Sequence, residues 1–290
     1  MTTSAEASAA RAAGQSPSGP FSPKPITVSQ GVSDMRINLL ILGGTTEAKA
    51  LAQAVAKAEI PAIFSLAGRV ARPLDQPVPM RTGGFGGVEG LCDFLRREAI
   101  THVVDATHPF AAQMSRNAVA ACARIGVPLI ALSRAPWRAV DGDQWQRVPD
   151  MAGAVAALAG PRRVVMLAVG RMHLAEFAPN PQHRYLLRLV DPPEAPLPLP
   201  DCHVIVARGP FSEAEDRALM QEHGVEIVVS KNAGGRGAEA KIAAARGLGL
   251  PVIMIDRPAI PARREASDVA EVLNWISHSG SDGAGTDRGV

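Results

Sequence analysis

Ile37-Asn38-Leu39-Leu40-Ile41-Leu42-Gly43-Gly44-Thr45-Thr46-Glu47-Ala48 is the stretch on which the reading of the fold turns. Its apolar run fits a strand buried on both faces, as strands of parallel sheets are. Gly43 and Gly44 end the strand, and Thr45 is placed to cap a helix whose inner face carries Ala48, Leu51, Ala52, Val55 and Ala56. Strand, glycine turn and helix N-terminus together present backbone N–H groups backed by a positive helix dipole, which suits a phosphate. The expectation is a nucleotide cofactor held by Gly43, Gly44, Thr45, Thr46 and Glu47. The turn departs from G-x-G-x-x-G, since Thr45 stands where a second glycine would let the backbone approach a pyrophosphate. Glu47 would oppose a phosphate beside it, so its side chain is expected to point away.

Composition narrows the partners. The 290 residues are 47% apolar but only 4% aromatic, a mix suited to cores of Ala, Val, Leu and Ile in alternating strands and helices. A formal charge of +2 with no long basic run makes nucleic acid a poor partner. Cys92, Cys122 and Cys202 are scattered without CxxC spacing, so neither a disulfide framework nor a zinc site is expected, and a reducing cytoplasm is the natural setting. No run is long enough to cross a membrane. Residues 1–34, rich in Ala, Ser, Gly and Pro, read as a disordered tail, and residues 279–290 as a second one. Met35 stands just before the first strand, so whether the first 34 residues are translated is left open.

Further along, 61–66 reads as a second strand. In a dinucleotide-binding unit its end faces the adenosine ribose, where an acidic residue favours NAD. None occurs from Pro61 to Arg72; Ser65, Gly68, Arg69 and Arg72 stand there instead. A guanidinium accepts a 2′-phosphate that a carboxylate would repel, which points to NADPH. Residues 78–82 read as a third strand entering Gly83-Gly84-Phe85-Gly86-Gly87, followed by a helix over 88–98. The strand over 101–106 ends in Asp105-Ala106-Thr107-His108-Pro109-Phe110, at the sheet edge where ligands of open α/β sheets bind. Helix-capping by Asp105 or Thr107 is the plainer reading of the same residues. Residues 135–149 lose periodicity and read as the connection between two units, expected over 35–135 and 136–278.

The second half repeats the alternation of strands and helices. Strand ends carry Gly170-Arg171, Arg208-Gly209 and Lys231-Asn232-Ala233-Gly234-Gly235, and Ser212 with Glu215 forms a capping box. Arg171, Arg208 and Lys231 at one topological edge call for an anionic ligand, with Asn232 adding donors. The fold class expected is α/β: two open parallel-sheet domains with a cleft between them.

Several of these segments, in order, resemble one family. Gly43 to Ala48, Gly68-Arg69, Asp105 to Ala111, Gly170-Arg171 and Ser230 to Gly235 are similar to the precorrin-6A reductases of cobalamin biosynthesis, over about residues 35–277. The resemblance implies two Rossmann-like domains, NADPH-dependent reduction of one carbon–carbon double bond in the precorrin-6A macrocycle, and a tetrapyrrole in the cleft. The nicotinamide is then expected near Thr82, Gly84 and Asp105 to His108, and the substrate's carboxylates near Arg171, Arg208, Lys231 and Asn232. His108, Asp105 and water are the candidate proton donors. Two rival readings are an S-adenosylmethionine-dependent methyltransferase and a non-catalytic dinucleotide sensor. Oligomeric state and any cobalt in the substrate are not legible.

Overall fold

The computed structural model describes residues 37–68 and 73–279. The expected tails, apart from Ser279, and Arg69 and Arg72 therefore lie outside the described residues. Strand β1 (Leu39–Leu42) is buried throughout, and α1 (Thr46–Lys57) starts where Thr45 accepts a hydrogen bond from the Ala48 N–H. There follow β2 (Ala62–Leu66), β3 (Met80–Thr82), α2 (Gly87–Arg97), β4 (His102–Asp105), α3 (Ala112–Ile125) and β5 (Leu129–Leu132). The second half contributes β6 (Gln144–Val148), α4 (Met151–Ala157), β7 (Val164–Ala168), β8 (Arg184–Leu189), β9 (Cys202–Val206), α5 (Glu213–Glu222), β10 (Ile227–Lys231), α6 (Ala240–Gly247) and β11 (Pro251–Ile255). The chain ends in β12 (Arg264–Ala266) and α7 (Val269–His278).

These strands make two six-stranded sheets, with every strand pairing among the described residues parallel. The orders are β3-β2-β1-β4-β5-β12 and β9-β8-β7-β10-β11-β6. The first is the doubly wound 3-2-1-4-5-6 arrangement; in the second, β7 to β11 repeat the 3-2-1-4-5 order and β6, which precedes them in the chain, takes the sixth place, the order reversing between β1 and β4 and between β7 and β10. Successive side chains of each strand serve opposite faces. In the first sheet Leu39, Ile41 and Val104 pack toward α1 and α7, while Leu40, Leu42 and Val103 pack toward α2 and α3. In the second, Val165, Leu167, Tyr185 and Leu187 lie with Met151 and Ala154 of α4, and Met166, Leu186 and Met254 with Met220 of α5 and Ile242 of α6.

The sixth strands are exchanged. β6, which follows β5 in the chain, pairs with β11 of the second sheet, and β12, which follows β11, pairs with β5 of the first. The expected division at residue 135 therefore differs from sheet membership, because residues 264–278 return to the first sheet and α7 packs on α1. β6 (QWQRV) was read as part of an aperiodic connection. As an edge strand with one neighbour it carries mostly exposed residues, so it lacks the apolar run that marks a central strand. Two chain crossings, 133–143 and 256–263, thus join the sheets.

Arginines fix those crossings. Arg134 donates to Ala233 O (2.8 Å) and to Glu47 (2.8 Å). Arg257 donates to Asn232 O, Ala233 O and Arg134 O. Arg263 reaches Asp105 at 2.8 Å. Among the described residues, no helix is long and apolar enough to cross a membrane.

Candidate active site

At the first switch point, the turn after β1 and the segment after β4 open a cavity of about 370 Å³. Gly43, Gly44, Ser65, Gly68, Thr82, Gly84, Thr107 and His108 line it, joined from the second sheet by Val190 and Arg208. Eight of the expected site residues other than Gly68 thus come together: six backbone-turn or strand-end positions of the first sheet, with His108 and Arg208. Among the described residues, no Asp or Glu lines the cavity. Glycine is required at 43 because a Cβ there would stand 2.3 Å from the Phe64 ring, and at 44 because φ is +131°.

Thr45 does not offer its hydroxyl to the cavity. Its Oγ accepts from Ala48 N and donates to Ala106 O (2.9 Å), so the residue ties the first helix to the end of β4. Glu47 turns to Arg134, and that pairing, with a backbone hydrogen bond, holds its carboxyl below the usual range against the opposing effect of burial. Thr46 Oγ donates to the same carboxylate. Only the backbone of Thr45 to Glu47 is thus left to serve a phosphate. Lys49, which the sequence reading passed over, lines the cavity and brings a cation to this turn. Its place one turn into a helix that starts at a glycine pair was the available signal.

Ser65 and Gly84 are braced rather than open. Arg81 donates to Ser65 Oγ (2.7 Å) and Gly84 O (3.0 Å), with its guanidinium 4.0 Å from the Phe85 ring centre. This fixes the glycine-rich loop against the end of β2.

Two expected residues take different roles from those read in the sequence. Asp105 is buried; its Oδ1 accepts from Thr107 N (3.2 Å) and Oγ1 (2.7 Å), and its Oδ2 from Arg263. Its oxygens thus brace the Thr107 turn and Arg263, in part as the helix-capping reading of this segment has it. Asn232 is likewise buried, with its amide accepting from Trp137 N and donating to Trp137 O. That side chain anchors a crossing rather than facing a ligand.

His108 accepts from Phe110 N at Nδ1 (3.2 Å), which leaves Nε2 to carry the proton of the neutral ring. Burial, then Arg134, Lys231, Arg257 and Lys241, push its pKa down to about 3. At neutral pH the ring is a hydrogen-bond donor and a poor source of a proton. The linkage follows: an unfolded histidine binds a proton below about pH 6.5, the folded one only near 3, so stability falls as pH drops through that window. The slope contributed is at most about 1.4 kcal/mol per pH unit. His108→Gln should flatten the acid side of the stability–pH curve between pH 6 and 4, measured by urea unfolding; an unchanged curve would contradict the buried neutral ring.

At the second switch point, Arg171 follows β7 and Lys231 ends β10. Arg171 is exposed, Lys231 lies 5.3 Å from the centre of the Phe110 ring, and Arg208 is 3.9 Å from Asp191. No group of three or more His, Cys, Asp or Glu that could hold a metal ion occurs among the described residues.

The family model for precorrin-6x reductase CbiJ/CobK matches residues 38–277. The chain belongs to the precorrin-6x reductase family. It is 58% identical over 252 residues to the precorrin-6A reductase of Rhodobacter capsulatus, covering 87% of this chain and 99% of that one. It is 33% identical over 250 residues to the cobalt-precorrin-6A reductase of Priestia megaterium, covering 82% and 97%. A solved structure, CobK precorrin-6A reductase, superposes with a TM-score of 0.82 at 57% identity, covering 88% of this chain and all of that one. As a precorrin-6x reductase the chain is an oxidoreductase of cobalamin biosynthesis, and a reductase of this kind calls for a nicotinamide. The cavity fits one, with a glycine turn at a helix N-terminus, Lys49 beside it and no carboxylate in the lining among the described residues.

Proposed function

We propose that this chain reduces one carbon–carbon double bond of precorrin-6A to give precorrin-6B, with NADPH as the hydride source. The observation that carries the reading is the cavity walled by strand ends of both sheets. Backbone N–H groups after Gly43-Gly44 would hold the pyrophosphate, with Lys49 as counter-charge. The adenosine ribose would lie by Ser65 and Gly68 at the end of β2. The absence of a carboxylate in the lining favours a 2′-phosphate, and Arg69, next in the chain, is its proposed partner. The nicotinamide would lie toward Thr82, Thr107 and His108, where the neutral imidazole can donate a hydrogen bond without adding charge.

Arg171, Arg208 and Lys231 would face the acetate and propionate groups of the macrocycle. The cofactor supplies the hydride, and the chain orients both rings and keeps water from the reacting carbon. The family assignment weighs against a methyltransferase and against a sensor without turnover. A cytoplasmic site of action goes with this reading.

The test is an anaerobic assay with metal-free and cobalt-bearing precorrin-6A, following nicotinamide absorbance and product mass. NADPH should be consumed in preference to NADH with a gain of two hydrogens in the product, and Arg69→Ala should narrow the preference. Equal use of NADH by the unaltered protein would overturn the cofactor assignment. Consumption without a reduced tetrapyrrole would overturn the substrate assignment.

A further inference from the structure

We propose that Thr107 and His108 grip the carboxamide of the nicotinamide as a matched pair, Thr107 accepting from its NH2 and His108 donating to its carbonyl oxygen. This rests on the reductase reading above and deepens it, by naming the chemical group that this wall of the cavity selects.

The polarity of Thr107 follows from what already holds it. A hydroxyl has one proton, and that of Thr107 is directed to Asp105 Oδ1 at 2.7 Å. Asp105 Oδ1 also accepts from Thr107 N (3.2 Å) and Oδ2 from Arg263 Nη1 (2.8 Å), so the carboxylate is an acceptor on both oxygens. The buried Ser115 hydroxyl stands 3.4 Å from Thr107 Oγ1 and is the donor there, because the Thr107 proton points elsewhere. One lone pair of Thr107 remains, and Thr107 lines the cavity.

His108 has the opposite polarity. Its Nδ1 accepts from Phe110 N, which places the ring proton on Nε2. Nε2 has no hydrogen-bond partner among the described residues. It is not sealed in the interior as the orphaned Trp145 Nε1 and Arg263 Nε are, so it opens on the cavity that the ring lines. With the pKa pushed down to about 3, that donor stays neutral at physiological pH.

Both residues are fixed before a ligand arrives. Ala106 N donates to Leu42 O (3.0 Å), Thr45 Oγ1 to Ala106 O (2.9 Å) and Ala111 N to His108 O (2.7 Å). Acceptor and donor are therefore held in register with the Gly43-Gly44 turn, where the pyrophosphate is proposed to lie.

An acceptor beside a donor discriminates between the two molecules that meet here. Carboxylates of the macrocycle offer acceptors only and would set an oxygen against the Thr107 lone pair. A primary carboxamide carries NH2 and C=O side by side and satisfies both residues. A ribose hydroxyl pair also holds both polarities, and the test separates the two.

That test is calorimetric titration of the full chain with NADPH and with its reduced 3-acetylpyridine analogue, in which a methyl group replaces the NH2. The unaltered protein should bind NADPH about tenfold more tightly than the analogue. Thr107→Val should bring that ratio to about one, and Thr107→Ser, which keeps the hydroxyl, should preserve it. Damage done at Asp105 by the valine affects both coenzymes alike and drops out of the ratio. His108→Ala should weaken both by about tenfold and leave the ratio unchanged, since both keep the carbonyl. Equal binding of the two coenzymes by the unaltered protein, or unaltered binding by His108→Ala, would overturn the proposal. So would a ratio that survives Thr107→Val, which would give Thr107 to a ribose hydroxyl instead. Failure of the unaltered protein to bind either coenzyme would sink the underlying reading.

Discussion

Replacing Asp105 with alanine should lower unfolding free energy by about 3–5 kcal/mol at neutral pH, as expected when one partner of a buried ion pair is removed. The side chains of Asp105 and Arg263 are only 1% and 10% exposed. Removing the carboxylate leaves Arg263 in a place where its Nε has no hydrogen-bond partner among the described residues and Glu265 is 3.6 Å away. The damage reaches beyond one pair, because Arg263 sits on the segment that returns β12 to the first sheet. Asp105→Asn keeps the shape and an acceptor for Thr107 but loses the charge, so an intermediate loss is expected. Combining it with Arg263→Met should restore part of the stability, since no unpaired charge then remains buried. Urea unfolding measures all three; an alanine variant within 1 kcal/mol of the unaltered protein would contradict a bracing role.

Gly234→Ala should be nearly as damaging. Its φ of +68° strains any residue with a side chain, and a Cβ would lie 2.1 Å from Ala135 O and 2.5 Å from Arg257 Nη2. Left-handed backbone costs about 1–2 kcal/mol and overpacking typically about 1–3 kcal/mol, so a loss of about 2–5 kcal/mol is expected. The same shift would pull Ala233 O away from Arg134 and Arg257 and misplace Lys231. Thermal unfolding should fall, and tetrapyrrole affinity should fall with it. Unchanged stability and affinity would mean that the joint between crossing and loop is not needed.

The order of the first sheet's core and the site beside it could be read in the chain because local chemistry determines both. Leu39 to Leu42 is uninterruptedly apolar, Thr45 is a capping residue in the right place, and Ser212 with Glu215 forms the capping box expected of it. The exchange of β6 and β12 left no such mark. QWQRV and REA are short edge strands, and their partner sheet is decided by distant packing rather than by their own pattern.

The committed roles of Asp105 and Asn232 were hidden for a similar reason. Their partners Arg263 and Trp137 lie 158 and 95 residues away in the chain. A strand-end acid or amide reads as a ligand until such partners are known.

We propose that the turn after β1 grips the pyrophosphate of the reduced coenzyme within a cavity lined from both sheets. A crystal structure of the protein soaked with NADPH tests it most directly. Phosphate oxygens should lie within hydrogen-bond distance of the backbone N–H groups at the start of α1, and the nicotinamide against His108. Coenzyme bound at the second sheet's switch point instead, with the Gly43-Gly44 turn open to water, would contradict it.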